Sequence, residues 1–559
     1  MRIIVIGAVA AGLKAASKAR RCNPRAEIIV VEKGELISYG ACGMPYYVSR
    51  DVAELEDLLK TPVGMVRNPE YFKNVKDITV MTQTLAIRID RSTKTVYAKS
   101  LTDGQEKALP YDKLVIATGA TPIKPQIPGI NLKNIRQFWH PDDAKAIRTE
   151  LEKGRFNNVV IIGAGLVGME MAEAFSLWEV PVTVVEMQDH IFPSLLDAEM
   201  AGIVEKYCRE KGIQIFTKEK VVNFEGEGEV TSVITDKRTI PADLVVLAIG
   251  VRPNVELAGE AGLALGVTGA IAVDDRLRTS DPDIYAGGDC VENVNMITGN
   301  KVFTPMGSTA NKHGRVIGEN LCGGDTKFRG VLGTSVVKVH DINVGKSGLT
   351  EREAKEFGYE YITVMTAGHD KPHYMPGAKL ITIKLIANAQ NREVLGVQAV
   401  GEGEVAKRVD VVASALTLGG TIDDLFDIDL SYAPPYNSPI DNVVVAANSV
   451  MNKLAGKLKG VSSLQAKERL KSDQVVFLDV RTPDECKQVR LADCKNIKYI
   501  PLGQLRSRCG ELNKDDEIIA FCKISLRGYE AEGILEGADF KNVKVLEGGV
   551  VSWPFACEK

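Results

Sequence analysis

One pattern occurs twice in the chain: a β-branched apolar run, a turn rich in Gly and Ala, a helical stretch, a second apolar run and a terminal acid. In the first copy, residues 3–6 lead into Gly7-Ala8-Val9-Ala10-Ala11-Gly12, a helix is expected over 13–21, and the strand Glu27–Val31 closes on Glu32, twenty residues after Gly12. In the second, Val159–Ile162 leads into Gly163-Ala164-Gly165-Leu166-Val167-Gly168, a helix is expected over 169–178, and the strand Val182–Val185 closes on Glu186, eighteen residues after Gly168. Each copy reads as a βαβ unit. Its turn brings backbone N–H groups against a pyrophosphate at a helix N-terminus, and its acid takes ribose hydroxyls. Val9 holds the place of the middle glycine in the first copy, whereas the second has all three. The expected fold class is therefore α/β with two Rossmann-like nucleotide-binding domains. Glu186 favours a free 2′-hydroxyl, and Met187 and Gln188 bring no cation to a 2′-phosphate, so NADH is expected over NADPH, with NADPH use left open.

At 559 residues the chain is too long for one core, and about three or four domains are expected. A net charge of −4 gives no basic field for nucleic acid. Ten scattered cysteines show no metal-ligand grouping and predict reduced thiols of a cytoplasmic protein. The apolar run after Arg2 looks superficially like a signal peptide but reads better as strand, turn and helix. No run has the length of a membrane span. Neither nucleic acid nor membrane is an expected partner, and no metal is expected.

Soon after the first unit stands Ser38-Tyr39-Gly40-Ala41-Cys42-Gly43-Met44-Pro45-Tyr46-Tyr47. Gly40 and Gly43 open the backbone around Cys42, and Pro45 suits a helix start, an environment that favours a thiolate. Tyr47 occupies the position, five residues on, where a dithiol reductase places its second cysteine, and no CxxC occurs in the chain. If Cys42 does redox chemistry, its sulfur partner comes from outside this stretch: a substrate thiol, a sulfane sulfur, or an oxygen atom on Cys42 itself. Ser38 and Tyr39 are candidates to line this turn, and Arg20, with Arg21 and Lys60, to contact phosphate.

Further along, residues 114–120 form a buried strand ending in Thr118-Gly119, and 244–250 repeats that pattern and returns the chain to the first domain. Gly287-Gly288-Asp289 places an acid after two glycines, suited to a flavin's ribityl or phosphate edge. The runs 335–339 and 379–385 and the helix 405–418 read as an α+β domain. A small, basic, polar segment then links to a last domain, where 474–481 and 517–521 are strands. Cys522 stands at the end of the latter, in a loop running to Arg527, with the geometry of an anion nest that stabilises a thiolate or persulfide.

The chain thus resembles the flavin and pyridine-nucleotide disulfide oxidoreductases, and within them the single-cysteine branch of coenzyme A-disulfide reductases, NADH oxidases and NADH-dependent persulfide reductases. Asp479-Val480-Arg481, the Cys522–Arg527 loop and residues 546–553 are similar to a rhodanese domain. The resemblance implies a discontinuous FAD domain (1–112 with 246–325), an NADH domain (113–245), a dimerisation domain (326–447), a linker (448–460) and a rhodanese domain (461–559). It implies FAD at Gly7, Gly12, Glu32 and Asp289 and NADH at Gly163, Gly165, Gly168 and Glu186, and Lys33, Thr118 and Gly119 are further candidates for cofactor binding. It makes Cys42 the redox cysteine beside the flavin; Arg20, Ser38 and Tyr39 are the substrate-binding candidates, from their place in the sequence alone. It further implies a homodimer, in which Tyr374 and Tyr432 of one subunit stand by the other's cysteine and hydrogen-bond a leaving thiolate. The expected activity is NADH-dependent reduction of persulfides, polysulfides or disulfides, with coenzyme A as sulfur carrier and Cys522, aided by Arg527, exchanging sulfur. Two other readings stay open. One is an NADH oxidase cycling Cys42 through a sulfenic acid, since Ala41 stands where coenzyme A-disulfide reductases carry Asn. The other is a sulfur relay whose flavin half senses redox state.

Overall fold

The computed structural model describes residues 1–558. They form two compact units. The first comprises Met1–Gly163, Met171–Val182 and Val221–Val331; the second comprises Ala164–Glu170, Thr183–Lys220 and the chain from Leu332 onward.

The first unit is built on a parallel five-stranded sheet in the order Ile284–Ala286, Lys113–Ile116, Arg2–Ile6, Glu27–Val31, Thr79–Met81. Ile3, Ile4 and Val5 are wholly buried, as a β-branched strand covered on both faces requires. Burying each such side chain contributes roughly 1.5–3 kcal/mol. The helix Ala11–Cys22 follows the first glycine turn and packs on the helix Gly307–Asn320. Two small residues set that contact: a Cβ on Gly314 would stand 2.5 Å from Ala11 O, and one on Gly318 2.6 Å from Ala15 O. Within this unit Val159–Ile162, Leu244–Leu247 and Ile135–Gln137 also pair in parallel. The chain crosses over and returns side by side, Ala120–Pro122 pairing antiparallel with Val251–Pro253.

In the second unit, residues 183–185 pair in parallel with Gln214–Phe216. An antiparallel sheet follows, in the order Ser335–Val339, Ile342–Gly348, Val394–Gly401, Leu380–Asn388, Tyr361–His369. The helices Val405–Leu418 and Asn442–Leu454 pack on it. The last sheet is parallel, in the order Gly460–Val461, Val543–Leu546, Glu517–Phe521, Val475–Asp479, Ile497–Tyr499, around fully buried Phe477, Ile519 and Phe521. The segment read as a linker, 448–460, is largely structured. Buried Val443, Ala446, Ala447 and Val450 carry one helix on to Leu454, and Gly460 already pairs with Val545. The two sheets are tied directly: Met365 N–H donates to Glu547 Oε2 at 2.9 Å, Lys453 Nζ bonds Glu547 Oε1 at 2.5 Å, and the Thr382 and Ser552 hydroxyls are 2.9 Å apart.

Candidate functional site

The two glycine turns are braced alike. In the first unit Ala8 N–H donates to Glu32 Oε2 at 2.7 Å and Gly34 N–H to Glu32 Oε1 at 2.9 Å. In the second Ala164 N–H donates to Glu186 Oε2 and Gln188 N–H to Glu186 Oε1, both at 2.8 Å. Each carboxylate at a strand end thus orients the turn beside it. The turns differ in room: a Cβ on Gly165 would meet nothing within 4 Å, an open cradle of the kind a pyrophosphate fills, whereas Val9 puts a partly buried side chain at the matching position. Lys33 is exposed beyond Glu32. Thr118 Oγ1 donates to Asn254 O at 2.7 Å, and Asn254 N–H donates to Gly119 O at 3.0 Å, where the chain crosses over.

Asp289 fits a flavin's polyol. Its carboxyl is largely buried, and burial alone pushes its pKa up to about 6, with no charge or hydrogen bond acting against it. Donor hydroxyls supply what it lacks. Behind it Gly288 N–H donates to Nδ1 of His313, a fully buried ring. Burial first, then Lys312, takes the His313 pKa down to about 4, and its Nε2 has no hydrogen-bond partner.

Cys42 is exposed, in the short turn Ala41–Gly43 that runs into the helix Met44–Val48. Gly40 N–H donates to Leu58 O at 2.9 Å, and Gly43 packs so near Leu58 that a Cβ there would stand 2.4 Å from Cδ2. A side-chain carbon on Gly307, the first residue of its helix, would lie 3.9 Å from Cys42 Sγ. The close glycine contacts along that helix therefore bring its start to the thiol. Ser38 N–H donates to Ala8 O at 2.8 Å, and Tyr39 packs edge-on to His140. Burial first, and then Glu32, pushes the Tyr39 hydroxyl up to about 12. Both residues adjoin the nucleotide turn. The Arg20 guanidinium donates to the carbonyls of Pro24, Lys76 and Asp77, tying the end of its helix to residues 76–77. Lys60 pairs with Asp57 and Glu56.

In the second unit Tyr374 and Tyr432 are 63% and 50% exposed, each on a loop of the antiparallel-sheet domain. Surface tyrosines at such exposure are accessible to a partner.

Cys522 is fully buried at the end of Glu517–Phe521. Its carbonyl accepts from Val550 N–H at 3.0 Å, and the Lys523 carbonyl from Val551 N–H at 3.1 Å, so the loop is pinned from behind. Arg527 grips Glu485 with two bonds of 2.8 and 2.6 Å. Glu485 first, with Cys522 adding to the effect, raises the Arg527 pKa, and the same pair holds Glu485 down to about 2. Ser525 takes φ +82, a region that favours glycine, and its buried Oγ has no partner. Below lies a buried ion pair, Arg481 Nη2 to Asp479 Oδ2 at 2.7 Å. Glu485, which holds Arg527 beside the Cys522 loop, is a residue that sequence reasoning missed. Thr482-Pro-Asp-Glu485 carries a capping-box signal for a helix start, and it does cap, but its reach to Arg527 spans 42 positions. Among the described residues no His, Cys, Asp or Glu group is arranged to hold a metal ion, and no helix is long and apolar enough to cross a membrane.

These arrangements define a dinucleotide-binding oxidoreductase with a second, thiol-bearing domain. The chain belongs to the pyridine nucleotide-disulphide oxidoreductases: that family's profile matches residues 1–314, its dimerisation domain 334–443, and a rhodanese-like domain 462–555. It is 38% identical over 446 residues (80% of this chain, 98% of the relative) to an NAD(P)H sulfur oxidoreductase (CoA-dependent) of Pyrococcus furiosus. It is 35% identical over 457 residues (82% and 100%) to an NADH oxidase of Methanocaldococcus jannaschii. The solved structure of a NAD-dependent persulfide reductase from A. fulgidus superposes with a TM-score of 0.95 at 45% identity, covering 99% of this chain and 100% of that one. The α/β class with two Rossmann-like domains, a dimerisation domain and a rhodanese domain stands as the sequence implied.

Proposed function

We propose that this protein is an NAD(P)H- and FAD-dependent reductase of persulfides, polysulfides or coenzyme A disulfides, with sulfur exchange at its rhodanese domain. The observation that carries the reading is the exposure of Cys42 in a glycine turn that offers no second cysteine, in a chain that also buries Cys522 beside Arg527. A sulfur partner for Cys42 then comes from the substrate. The Cys42 thiolate attacks a persulfide, an S–S bond forms to Cys42, and hydrosulfide leaves; two electrons and a proton return the thiolate and release the thiol. FAD, when bound, carries those electron pairs from the nicotinamide. Gly7, Gly12, Glu32, Lys33, Thr118, Gly119 and Asp289 would hold it, and Gly163, Gly165, Gly168 and Glu186 would hold the nicotinamide cofactor. Ser38 and Tyr39 would shape the floor of the flavin-side turn.

In this reading 1–112 with 246–325 is the FAD domain, 113–245 the nicotinamide domain, 326–447 the dimerisation domain and 461–559 the rhodanese domain. The protein works as a cytoplasmic homodimer, and Tyr374 and Tyr432 of one subunit donate to the thiolate leaving the partner's site. Cys522 holds a persulfide next to the Arg527 charge and exchanges sulfur with the same carrier.

The test is anaerobic NADH oxidation with coenzyme A persulfide, coenzyme A disulfide and polysulfide, with sulfide release recorded. Turnover with sulfide or thiol release supports the reading. If no sulfur compound supports turnover while oxygen does, the second reading, an NADH oxidase, replaces it; the M. jannaschii relative's name favours keeping that arm in the experiment.

A further inference from the structure

Tyr374 lies on the loop between the strands Tyr361–His369 and Leu380–Asn388, and Tyr432 on the loop between the helices Ile422–Asp427 and Asn442–Leu454. Both side chains are exposed, and the Tyr374 ring packs only edge-on to His373 of its own loop, so where the two tyrosines stand follows from where their loops are held. One buried side chain reaches the base of both loops. Arg408, on the helix Val405–Leu418, is 1% exposed. Its Nη2 donates to Asp370 O at 2.6 Å and to Asn437 Oδ1 at 3.0 Å, and lies 2.9 Å from Asp441 Oδ2; its Nη1 donates to Glu404 O at 3.3 Å.

Two of these partners close the loops and a third caps the helix that follows. Asp370 N–H donates to Lys379 O at 2.8 Å, and Asp370 Oδ1 accepts from Lys379 N–H at 2.9 Å, which shuts the base of the Tyr374 loop. Asn437 Nδ2 donates to Ser431 O at 3.4 Å, and Asn437 Oδ1 also accepts from Ser438 N–H at 2.9 Å, which spans the Tyr432 loop. Asp441 caps the following helix through Val443 N–H at 2.9 Å.

A buried ion pair is weak evidence for stabilisation, because well-packed apolar residues often serve as well. What a planar guanidinium supplies here, and an apolar side chain or a single ammonium does not, is a fixed geometric relation between two loops. We propose that Arg408 is a positioning residue that holds the Tyr374 and Tyr432 loops in register, so that both hydroxyls meet the same leaving thiolate. The inference rests on the proposed role of those tyrosines.

The experiment is a set of double-mutant cycles on the full-length, FAD-loaded protein, combining Arg408→Lys with Tyr374→Phe and with Tyr432→Phe. The readouts are kcat and KM with coenzyme A disulfide, the flavin absorbance, and NADH-driven ferricyanide reduction. Each tyrosine change is expected to lower kcat about tenfold, the loss of one hydrogen bond to a charged group. Arg408→Lys should lower kcat by a similar factor, each double variant should fall little below its weaker single, and ferricyanide reduction should stay within about twofold of wild type. A normal kcat for Arg408→Lys, or losses that multiply in the doubles, would overturn the inference while leaving the tyrosines in place. Wild-type kcat in both tyrosine variants removes the tyrosine role and this inference with it. If Arg408→Lys does not fold, Asn437→Ala keeps the buried charges, severs the Tyr432 side alone, and is expected to couple with Tyr432→Phe but not with Tyr374→Phe; additivity with Tyr432→Phe overturns the inference.

Discussion

The two cysteines proposed to meet sulfur stand in opposite surroundings. Cys42 is exposed in a turn whose neighbours are glycines and the first residue of a helix. Cys522 is buried, with its loop carbonyls pinned by Val550 and Val551 and a cation clamped beside it by Glu485. Openness suits attack on a sulfur carried by a large group, which needs room for the carrier. Enclosure suits custody of one sulfur atom, which needs a fixed charge and shelter from bulk thiols. The difference teaches that two thiols alike in residue type are set apart by their surroundings: Cys522 directly follows a strand, whereas Cys42 lies in a short helical turn eleven residues beyond one.

That contrast can be broken at either end. The largest effect should come from Cys42→Ser, which is expected to lower NADH-dependent turnover of coenzyme A persulfide by about 10³-fold or more while FAD absorbance persists; normal turnover would remove Cys42 from the chemistry. Cys522→Ser should abolish thiosulfate-to-cyanide sulfur transfer yet leave coenzyme A-disulfide reduction within about threefold of wild type. Equal losses in both assays would mean that the cysteines act as one site. Arg527→Ala should weaken sulfur transfer about 10- to 100-fold, the scale of one charge-assisted bond, as measured by single-turnover persulfide formation.

A smaller effect comes from acid, and it should separate the halves. His313 titrates at about 4 in the folded state against 6.5 ordinarily, so the unfolded chain takes up the proton first and stability falls as pH drops from 6.5 to 4. Asp289 acts against this. Its folded value of about 6 lies above the ordinary 3.8, so stability rises as pH drops through that window. Glu485, held to about 2, keeps its contribution until pH falls from 4.5 toward 2. The two shifts nearly offset each other, so the first unit's acid response should show when one group is removed: in the flavin-free protein the urea midpoint between pH 6.5 and 4 should fall more in Asp289→Asn and less in His313→Asn, while sulfur transfer holds until pH drops below about 4.5. The reverse order would show that other groups govern the flavin half.

Much of this organisation was legible in the residues because it is local. A strand, a glycine turn and an acid some twenty positions on specify a nucleotide unit without tertiary information, and Glu32 and Glu186 do stand where the spacing put them. Cys42 and Cys522 were legible from their turns. What was hidden is what depends on distant partners. Arg408 reaches Asp370 and Asn437 across 38 and 29 positions, and nothing near it in sequence distinguishes it from a solvated arginine; Arg527 was legible from the Cys522 loop, but its partner Glu485, 42 positions away, was not. Arg20, in the last turn of the first nucleotide helix, likewise finds partners that its neighbours in sequence do not announce, the carbonyls of residues 76–77.

The braced acids carry one more consequence. A carboxylate oxygen offers about two acceptor directions, and at Glu32 and at Glu186 each oxygen already receives one backbone N–H. One direction per oxygen is left over, which matches the two hydroxyls of a ribose diol. A nucleotide would then enter and leave by filling and vacating spare lone pairs, with the turn keeping its own bonds throughout. On the proposed reading the sockets would act as stiff receptors, and cofactor exchange would leave undisturbed the sheets on which the two turns are mounted.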